Sequence, residues 1–239
     1  MKEFCLFVCL LLLYVLPCVR ASGQTEKGHG VLAFGTVGHN YAGGAYGALA
    51  AIGTYHYGDG FALRGGLECS TFCKFSAMTG WESGMAVGEC QLRFVTYCLW
   101  RRFSLWKTDE FSNRIGLRLM RNGWSVQMGL AWRTMTQAGV NWLNHSTDFL
   151  FEPFNLMYEV CHTWRLGKRK EWAVSARVSD FDDFVMDRAY QPQFSVEGRW
   201  KVRQHAELFG RAVVHPTGMF SLSANYYEAM MNIGVNMLW

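Results

Sequence analysis

Charged side chains recur at every second position in several stretches of this 239-residue sequence. Residues i and i+2 of a β-strand share a face, so this spacing gathers charge on one side of a sheet. Basic residues outnumber acidic ones in the set, and a ring of like charges around a passage would set the local concentration of ions. The predicted charged face consists of Arg93, Arg114, Arg118, Glu159, Arg165, Arg177, Glu197, Arg199, Lys201, Glu207 and Arg211, with Arg64, Glu68 and Glu89 as further candidates.

The segment Asn144-His145-Ser146 is the nearest match to a hydrolytic pair. A base and a nucleophile carried by one strand must lie two residues apart to share a face. His145 and Ser146 are adjacent and fall in a predicted loop, so they would point in opposite directions. We therefore interpret the segment as a polar loop, assign no catalytic residue and expect no enzyme.

An acidic stretch offers the best candidate for metal binding. Asp180, Asp182, Asp183 and Asp187 could supply oxygen ligands to Ca²⁺. The stretch lacks the glycine and the closing glutamate of an EF-hand, so a solvated loop is the preferred interpretation. We assign no metal and no cofactor. The formal charge of +4 is spread out, and no basic run is interleaved with aromatics, so nucleic acid is not an expected partner.

Eight cysteines divide between the first 18 residues and the rest of the chain. The later five are Cys69, Cys73, Cys90, Cys98 and Cys161, an odd number that leaves at least one thiol unpaired. A bridge among the first three would close a predicted loop in an oxidising compartment. The alternative is that all five are small apolar residues on strand faces. The sequence does not select a pairing.

The elements that position these residues are β-strands. Apolar and polar residues alternate with a period of two in residues 91–100, 114–119, 124–132, 154–161, 172–179, 194–202 and 231–239, and more weakly in 31–57 and 61–67. Asn122-Gly123 between two such runs is a strong hairpin pattern. Residues 58–60, 167–170 and 215–218 are predicted as short turns, and 70–84, 136–148 and 180–191 as long loops.

The number of strands is expected between eight and twelve. Residues 85–106 and 220–239 lack an internal turn, and each could hold one strand or two. Strands that cross a membrane need about 9–11 residues at their usual tilt. Ten strands are therefore preferred. Tryptophans stand near the ends of the apolar faces, at Trp124, Trp132, Trp172, Trp200 and Trp239, as in the aromatic girdles at membrane interfaces.

The last nine residues carry the most informative pattern. Large apolar residues alternate up to a terminal aromatic, at Met231, Ile233, Val235, Met237 and Trp239. This ending resembles the closing strand of Gram-negative outer-membrane β-barrels. The resemblance implies an all-β fold: a single antiparallel transmembrane up-and-down β-barrel in the outer membrane of a diderm bacterium. It also implies outer-membrane lipid and the barrel assembly machinery as partners, the latter recognising these five residues.

The N-terminus is predicted to be a cleaved signal peptide. Lys2 precedes the apolar run 4–16, and Val19-Arg20-Ala21 places small residues before a cut after Ala21. The apolar run is shorter than the ~20 residues of a membrane span. The domain organisation is therefore a signal peptide at 1–21 and a barrel domain at 22–239.

Three functions follow from such a barrel. The first is a small porin-like channel for diffusion or uptake of small solutes, weakly anion-selective through its charged face. The second is a non-conducting barrel whose exposed loops bind a host or envelope partner; with eight strands, the same charges would be packing in a polar core. The third is a membrane-embedded lipid-modifying enzyme.

Overall fold

The computed structural model describes residues 29–40, 44–57, 60–71, 73–103, 108–137, 149–167, 171–180, 193–216 and 226–239. In these ranges twelve antiparallel strands form one closed barrel. They are β1 (Gly30–Asn40), β2 (Gly44–Tyr57), β3 (Phe61–Ser70), β4 (Cys73–Val87), β5 (Cys90–Phe103), β6 (Thr108–Arg121), β7 (Trp124–Gln137), β8 (Phe149–Leu166), β9 (Trp172–Ser179), β10 (Gln193–Arg203), β11 (Ala206–Pro216) and β12 (Tyr226–Leu238).

Each strand pairs with its neighbours in sequence, and β1 pairs with β12 to close the sheet. The predicted class, a single antiparallel up-and-down barrel, is confirmed. The preferred count of ten strands is wrong. Within the described ranges, no helix is long and apolar enough to cross a membrane.

The count is wrong chiefly because the predicted loop at 70–84 is mostly strand β4. Its outward positions include the small or polar residues Thr79 and Ser83, and its inward positions include Gly80 and Gly84. Such composition hides the alternation of period two. The stretch 85–106 is also divided, because Gly88 adopts a φ of 59° in a two-residue turn between β4 and β5. By contrast, β12 is a single strand.

The two ends of the barrel differ. Trp239 exchanges backbone hydrogen bonds with His29, at 2.8 and 2.9 Å, so the first and last described residues lie side by side. This end, the termini end, also carries the short connections 58–60, 88–89, 122–123, 167–171 and 204–205. Asn122 and Gly123 both have positive φ, of 48° and 85°, as the predicted hairpin turn requires.

The opposite end, the loop end, carries the longer connections. Those at 138–148, 180–192 and 217–225 follow β7, β9 and β11. His145, Ser146, Asp182, Asp183 and Asp187 lie outside the described residues, as does the predicted signal peptide at 1–21.

The outer face of the barrel is apolar over most of its height. Large apolar side chains on alternate residues are exposed, for example Leu117, Val126 and Ile233. Near the termini end, Trp172 and Trp200 are register partners and stack with ring centroids 5.3 Å apart. These are the features expected of a surface that meets hydrocarbon, with aromatic rings at its borders.

A second group of rings borders the outer face nearer the loop end. Trp100 contacts Phe75 and Phe111 with centroid distances of 5.7 and 6.4 Å. Trp132 also faces outward, but it lies inside β7, which continues to Gln137. The next outward residue, Thr134, is polar, so Trp132 stands at the end of the apolar face as predicted, although the strand itself continues.

On the inner face, aromatic rings lie over glycines of neighbouring strands. A Cβ atom at Gly80 would come within 2.4 Å of the Tyr97 ring and of the Thr96 carbonyl oxygen. A Cβ atom at Gly38 would come within 2.6 Å of the Tyr46 ring. These glycines let each ring lie flat against the barrel wall, and this arrangement fixes where the phenol groups point.

We predict that Ile233→Arg lowers the free energy of unfolding by about 2–4 kcal/mol, because it places a charge on the lipid-facing stripe of β12. The matched control is Asn236→Arg on the inner face of the same strand, where Asn236 already donates to Glu207 at 3.4 Å. This control should cost less than about 1 kcal/mol. Urea titrations in lipid vesicles measure the free energy of unfolding of both variants. Equal losses of stability would contradict the assignment of faces.

We also predict that Gly80→Ala costs about 1–3 kcal/mol of stability, since the added methyl group displaces the Tyr97 ring. Gly65→Ala is the control, because its nearest heavy atom, the Met78 carbonyl oxygen, would be 3.8 Å away. It should be nearly neutral in the same urea titration. A Gly80→Ala protein as stable as the Gly65→Ala protein would show that the ring does not depend on this glycine.

Candidate functional site

The inner face holds a cluster of charges centred on Glu82. Glu82 lies on β4, and only 4% of its side chain is exposed. Three arginines on three neighbouring strands reach its carboxylate: Arg64 of β3 at 3.3 Å, Arg93 of β5 at 3.4 Å and Arg118 of β6 at 3.6 Å. We call Glu82, these three arginines and Tyr97 the Glu82 cluster. Its formal charge is positive, since three guanidinium groups share one carboxylate.

Hydrogen bonds fix the geometry of the Glu82 cluster. The Tyr97 hydroxyl donates to Glu82 Oε1 at 2.9 Å and accepts from Arg64 Nη1 at 3.2 Å. Arg118 Nε donates to Gln127 Oε1 at 2.8 Å. A buried carboxylate is stabilised when its oxygens are hydrogen-bonded and paired with opposite charge. Glu82 therefore acts as the anchor that draws arginines from separate strands to one place on the wall.

A second group of charges is centred on Glu197 of β10. Its two carboxylate oxygens accept from Arg199 Nε at 2.5 Å and from Arg211 Nε, on β11, at 2.7 Å. We call these three residues the Glu197 cluster. Here too the arginines outnumber the carboxylate.

Adjacent strands carry a balanced pair. Arg177 Nη1 of β9 donates to Glu159 Oε2 of β8 at 3.4 Å, and Arg177 Nε donates to Ser195 Oγ at 3.2 Å. Ser179 Oγ also lies 3.4 Å from Glu159 Oε2. Glu159 is thus satisfied by both a cation and a hydroxyl group.

The structure places the predicted charged residues on one face, opposite to the exposed apolar residues. The Glu82 cluster, the Glu197 cluster and the Glu159–Arg177 pair account for seven of the eleven. Arg114 is buried, Glu207 accepts from Asn236, and Arg165 and Lys201 are exposed near the termini end. Their role in lining a passage stays a prediction.

Of the three further candidates, Arg64 and Glu68 lie on the inner face of β3. Glu89 does not, because it sits in the turn after β4 and pairs with the exposed Arg121. The sequence analysis missed Glu82 because it falls in the stretch predicted as a loop. It also missed the buried Arg101, Glu110 and Glu228 of the inner face, although each occupies a position of period two in its strand.

The inner face also carries apolar residues beside these charges. Leu32, Ile52, Met78 and Leu99 lie on one line of register across β1 to β5, with Gly66 between Ile52 and Met78. Ile52, Met78 and Leu99 are buried, and Leu32, Phe34 and Tyr97 pack against them half-buried. Phe34 also meets Phe209 of β11 edge to face, with ring centroids 6.0 Å apart. The inner wall is therefore part charged and part apolar.

No disulfide bond joins any two of Cys69, Cys90, Cys98 and Cys161. A bridge between Cys69 and Cys90 is excluded, because Cys69 lies near the loop end of β3 and Cys90 begins β5 at the termini end. The side chain of Cys73 lies outside the described residues. Among the residues that the structure describes, no group of three or more His, Cys, Asp or Glu side chains is arranged to hold a metal ion.

No protein-family model matches the chain, and no curated protein matches it. Several solved structures are similar. The NanC porin has a TM-score of 0.54 at 9% identity, with 87% of this chain and 98% of that chain covered. The outer membrane channel COG4313 from Pseudomonas putida F1 has a TM-score of 0.52 at 8% identity, with 91% and 97% covered.

The KdgM porin in complex with disordered oligogalacturonate has a TM-score of 0.51 at 7% identity, with 87% of this chain and 98% of that chain covered. At such low identity the similarity shows the fold. It confirms the resemblance predicted from the closing strand, whose residues Met231, Ile233, Val235, Met237 and Trp239 all face outward. The chain therefore has the fold of the bacterial outer-membrane β-barrels.

Proposed function

We propose that the protein is a narrow outer-membrane channel that passes small solutes and prefers anions. The observation that carries this proposal is the Glu82 cluster, in which Arg64, Arg93 and Arg118 share one carboxylate on the inner wall. Fixed positive charge on the wall of a narrow passage raises the local concentration of anions and lowers that of cations. Catalysis is not part of the proposal.

The strand number favours an open passage through the barrel rather than an interior filled with side chains. In an eight-stranded barrel the interior is just wide enough for side chains to fill it, and the diameter grows roughly linearly with strand number. Twelve strands therefore leave more room than the eight that a packed polar core would need. The similar porin and channel structures have the same general architecture.

A second group of charges on the inner face has the same sign of imbalance. The Glu197 cluster has two arginines and one glutamate, whereas the Glu159–Arg177 pair is balanced. Arg93 and Arg118 form their described ion pairs with Glu82 alone. A mobile anion would find uncompensated positive charge there, at a place where the low dielectric of the wall strengthens the attraction.

The test is conductance of the refolded protein in planar lipid bilayers. We predict steady current steps in KCl. Under a salt gradient, we expect the reversal potential to have the sign of a channel that is more permeable to chloride than to potassium. Arg93→Gln with Arg118→Gln should move this reversal potential toward zero, while Glu82 remains paired with Arg64 and hydrogen-bonded to Tyr97. The selectivity should also weaken in concentrated salt, because the screening length falls to about 3 Å at 1 M.

Arg121→Gln is the matched control, because Arg121 pairs with Glu89 at an exposed turn of the termini end. It removes one positive charge without touching the Glu82 cluster, and the reversal potential should stay close to that of the unsubstituted protein. Cation selectivity would contradict the proposal. Absence of current from folded protein would also contradict it, and would favour the non-conducting barrel whose loops bind a partner.

A further inference from the structure

On the inner wall an apolar surface lies next to the arginines, and this adjacency bears on which solutes the wall can bind. Resting on the channel function proposed above, we propose that the preferred solute is an amphipathic carboxylate: one anionic group on a compact apolar body, such as an aromatic or branched aliphatic acid. The Glu82 cluster would hold the carboxylate, and the apolar residues around Leu32 and Phe34 would contact the body.

The apolar surface is continuous across several strands. Ile52, Met78 and Leu99 are buried in one cluster, with Leu32 and Phe34 packed half-buried against it. Register places Leu32 directly opposite Ile52, and Met78 directly opposite Leu99. Because Leu32 and Phe34 are only half-buried, part of this surface remains open to the interior of the barrel.

Phe209 extends this surface to the far side of β12. Its ring contacts Phe34, and both side chains lie close to Gly234, where a Cβ atom would lie 2.5 Å from Phe34 Cβ and 2.7 Å from Phe209 Cε1. The glycine leaves room for the two side chains against the wall. The result is an inward apolar surface that spans the seam between the first and last strands.

Tyr97 connects this surface to the Glu82 cluster. Its ring packs with Ile52, Met78 and Leu99, while its hydroxyl group bonds both Glu82 and Arg64. At the other border, Phe209 is the register partner of Arg199 and lies two residues from Arg211 on the same face of β11. The apolar surface is thus bounded by arginines on both sides.

This arrangement discriminates between classes of anion. A sugar acid is hydrated over its whole surface, so it gains little by lying against leucine and phenylalanine side chains. An acid with an apolar body removes apolar surface from water there while its carboxylate meets a guanidinium group. Charge complementarity selects the carboxylate, and the apolar surface selects what is attached to it.

The test compares two monocarboxylates that each carry one six-membered ring, benzoate and galacturonate, with benzyl alcohol as the neutral apolar probe. Each is added to the protein conducting KCl in a planar bilayer, and the reduction of current is measured against concentration. We expect benzoate to reduce the current at concentrations about tenfold lower than galacturonate, a ratio that burial of part of a phenyl ring can supply. Benzyl alcohol should be no more effective than galacturonate.

Two sets of variants separate the two parts of the site. Leu32→Thr with Phe34→Thr should bring benzoate to the level of galacturonate, with each reduction expressed relative to that variant's own current in KCl; Thr retains the strand preference. Arg118→Gln should weaken both carboxylates alike. Equal effects of benzoate and galacturonate, or a benzoate effect unchanged by the Leu32 and Phe34 substitutions, would overturn the proposal.

A failure of the channel function itself is distinguishable. If folded protein carries no current in KCl, binding of benzoate and galacturonate is measured instead by ligand-observed nuclear magnetic resonance on the detergent-solubilised barrel. Preferential binding of benzoate that depends on Phe34 would then support the site without the channel. Absence of that preference would overturn the site as well.

Discussion

The structure depends on one constraint, that every backbone N–H and C=O group inside a membrane must find a partner within the protein. A flat sheet in hydrocarbon would leave two unpaired edges. Here β1 pairs with β12 over its full length, from Gly30 opposite Leu238 to Asn40 opposite Glu228, so every described strand has a neighbouring strand on each side. Closure in turn divides the side chains into an outer set and an inner set that meet different surroundings.

The outward and inward side chains are subject to different physical constraints. Outward residues such as Val126 and Met128 need only be apolar, because lipid chains adapt to their shapes. Inward residues are confined, so a charged group such as Glu82 must find partners of fixed geometry. This need explains why the charges gather into clusters around single carboxylates. It also explains the glycines beneath the rings, since Tyr97 can reach Glu82 because Gly80 leaves it room.

The inner wall is charged in some places and apolar in others. The Glu82 and Glu197 clusters provide positive charge, and the surface between them, around Phe34 and Phe209, is apolar. In the channel proposed above, a solute would meet the charged and the apolar surfaces at the same place. Charge favours anions, and the apolar surface favours those whose bodies are poorly hydrated. Both features arise from side chains held by the sheet itself and require no contribution from the loops.

A third consequence of closure is that residues far apart in sequence act together. Tyr46 of β2 lies over Gly38 of β1, and its hydroxyl group donates to Glu228 of β12 at 2.7 Å. The contact crosses the seam where the first and last strands meet. Because Glu228 is fully buried, this hydrogen bond satisfies a group that would otherwise oppose folding.

The two faces of each strand can be assigned from local sequence. Alternation with a period of two is local, so it assigned Arg93, Arg118 and Glu197 to one side, and the apolar residues Ile233, Val235 and Met237 to the other, without knowledge of any neighbour. It failed in β4, where Gly80, Ser83 and other small residues leave no amphipathic contrast. The alternating strand that ends in an aromatic residue identified the class of fold. Every barrel that closes within a membrane needs strands with one apolar face toward the lipid.

Which inner residues meet one another depends on the assembled barrel. Partners across a sheet depend on register between strands, and a shift of one residue would exchange the two faces. Arg64, Arg93 and Arg118 converge on Glu82 because β3, β4, β5 and β6 pair in one particular alignment. The apolar line from Leu32 to Leu99 has the same origin. The period of a strand fixes where each side chain points, but the register of the closed barrel fixes what it points at.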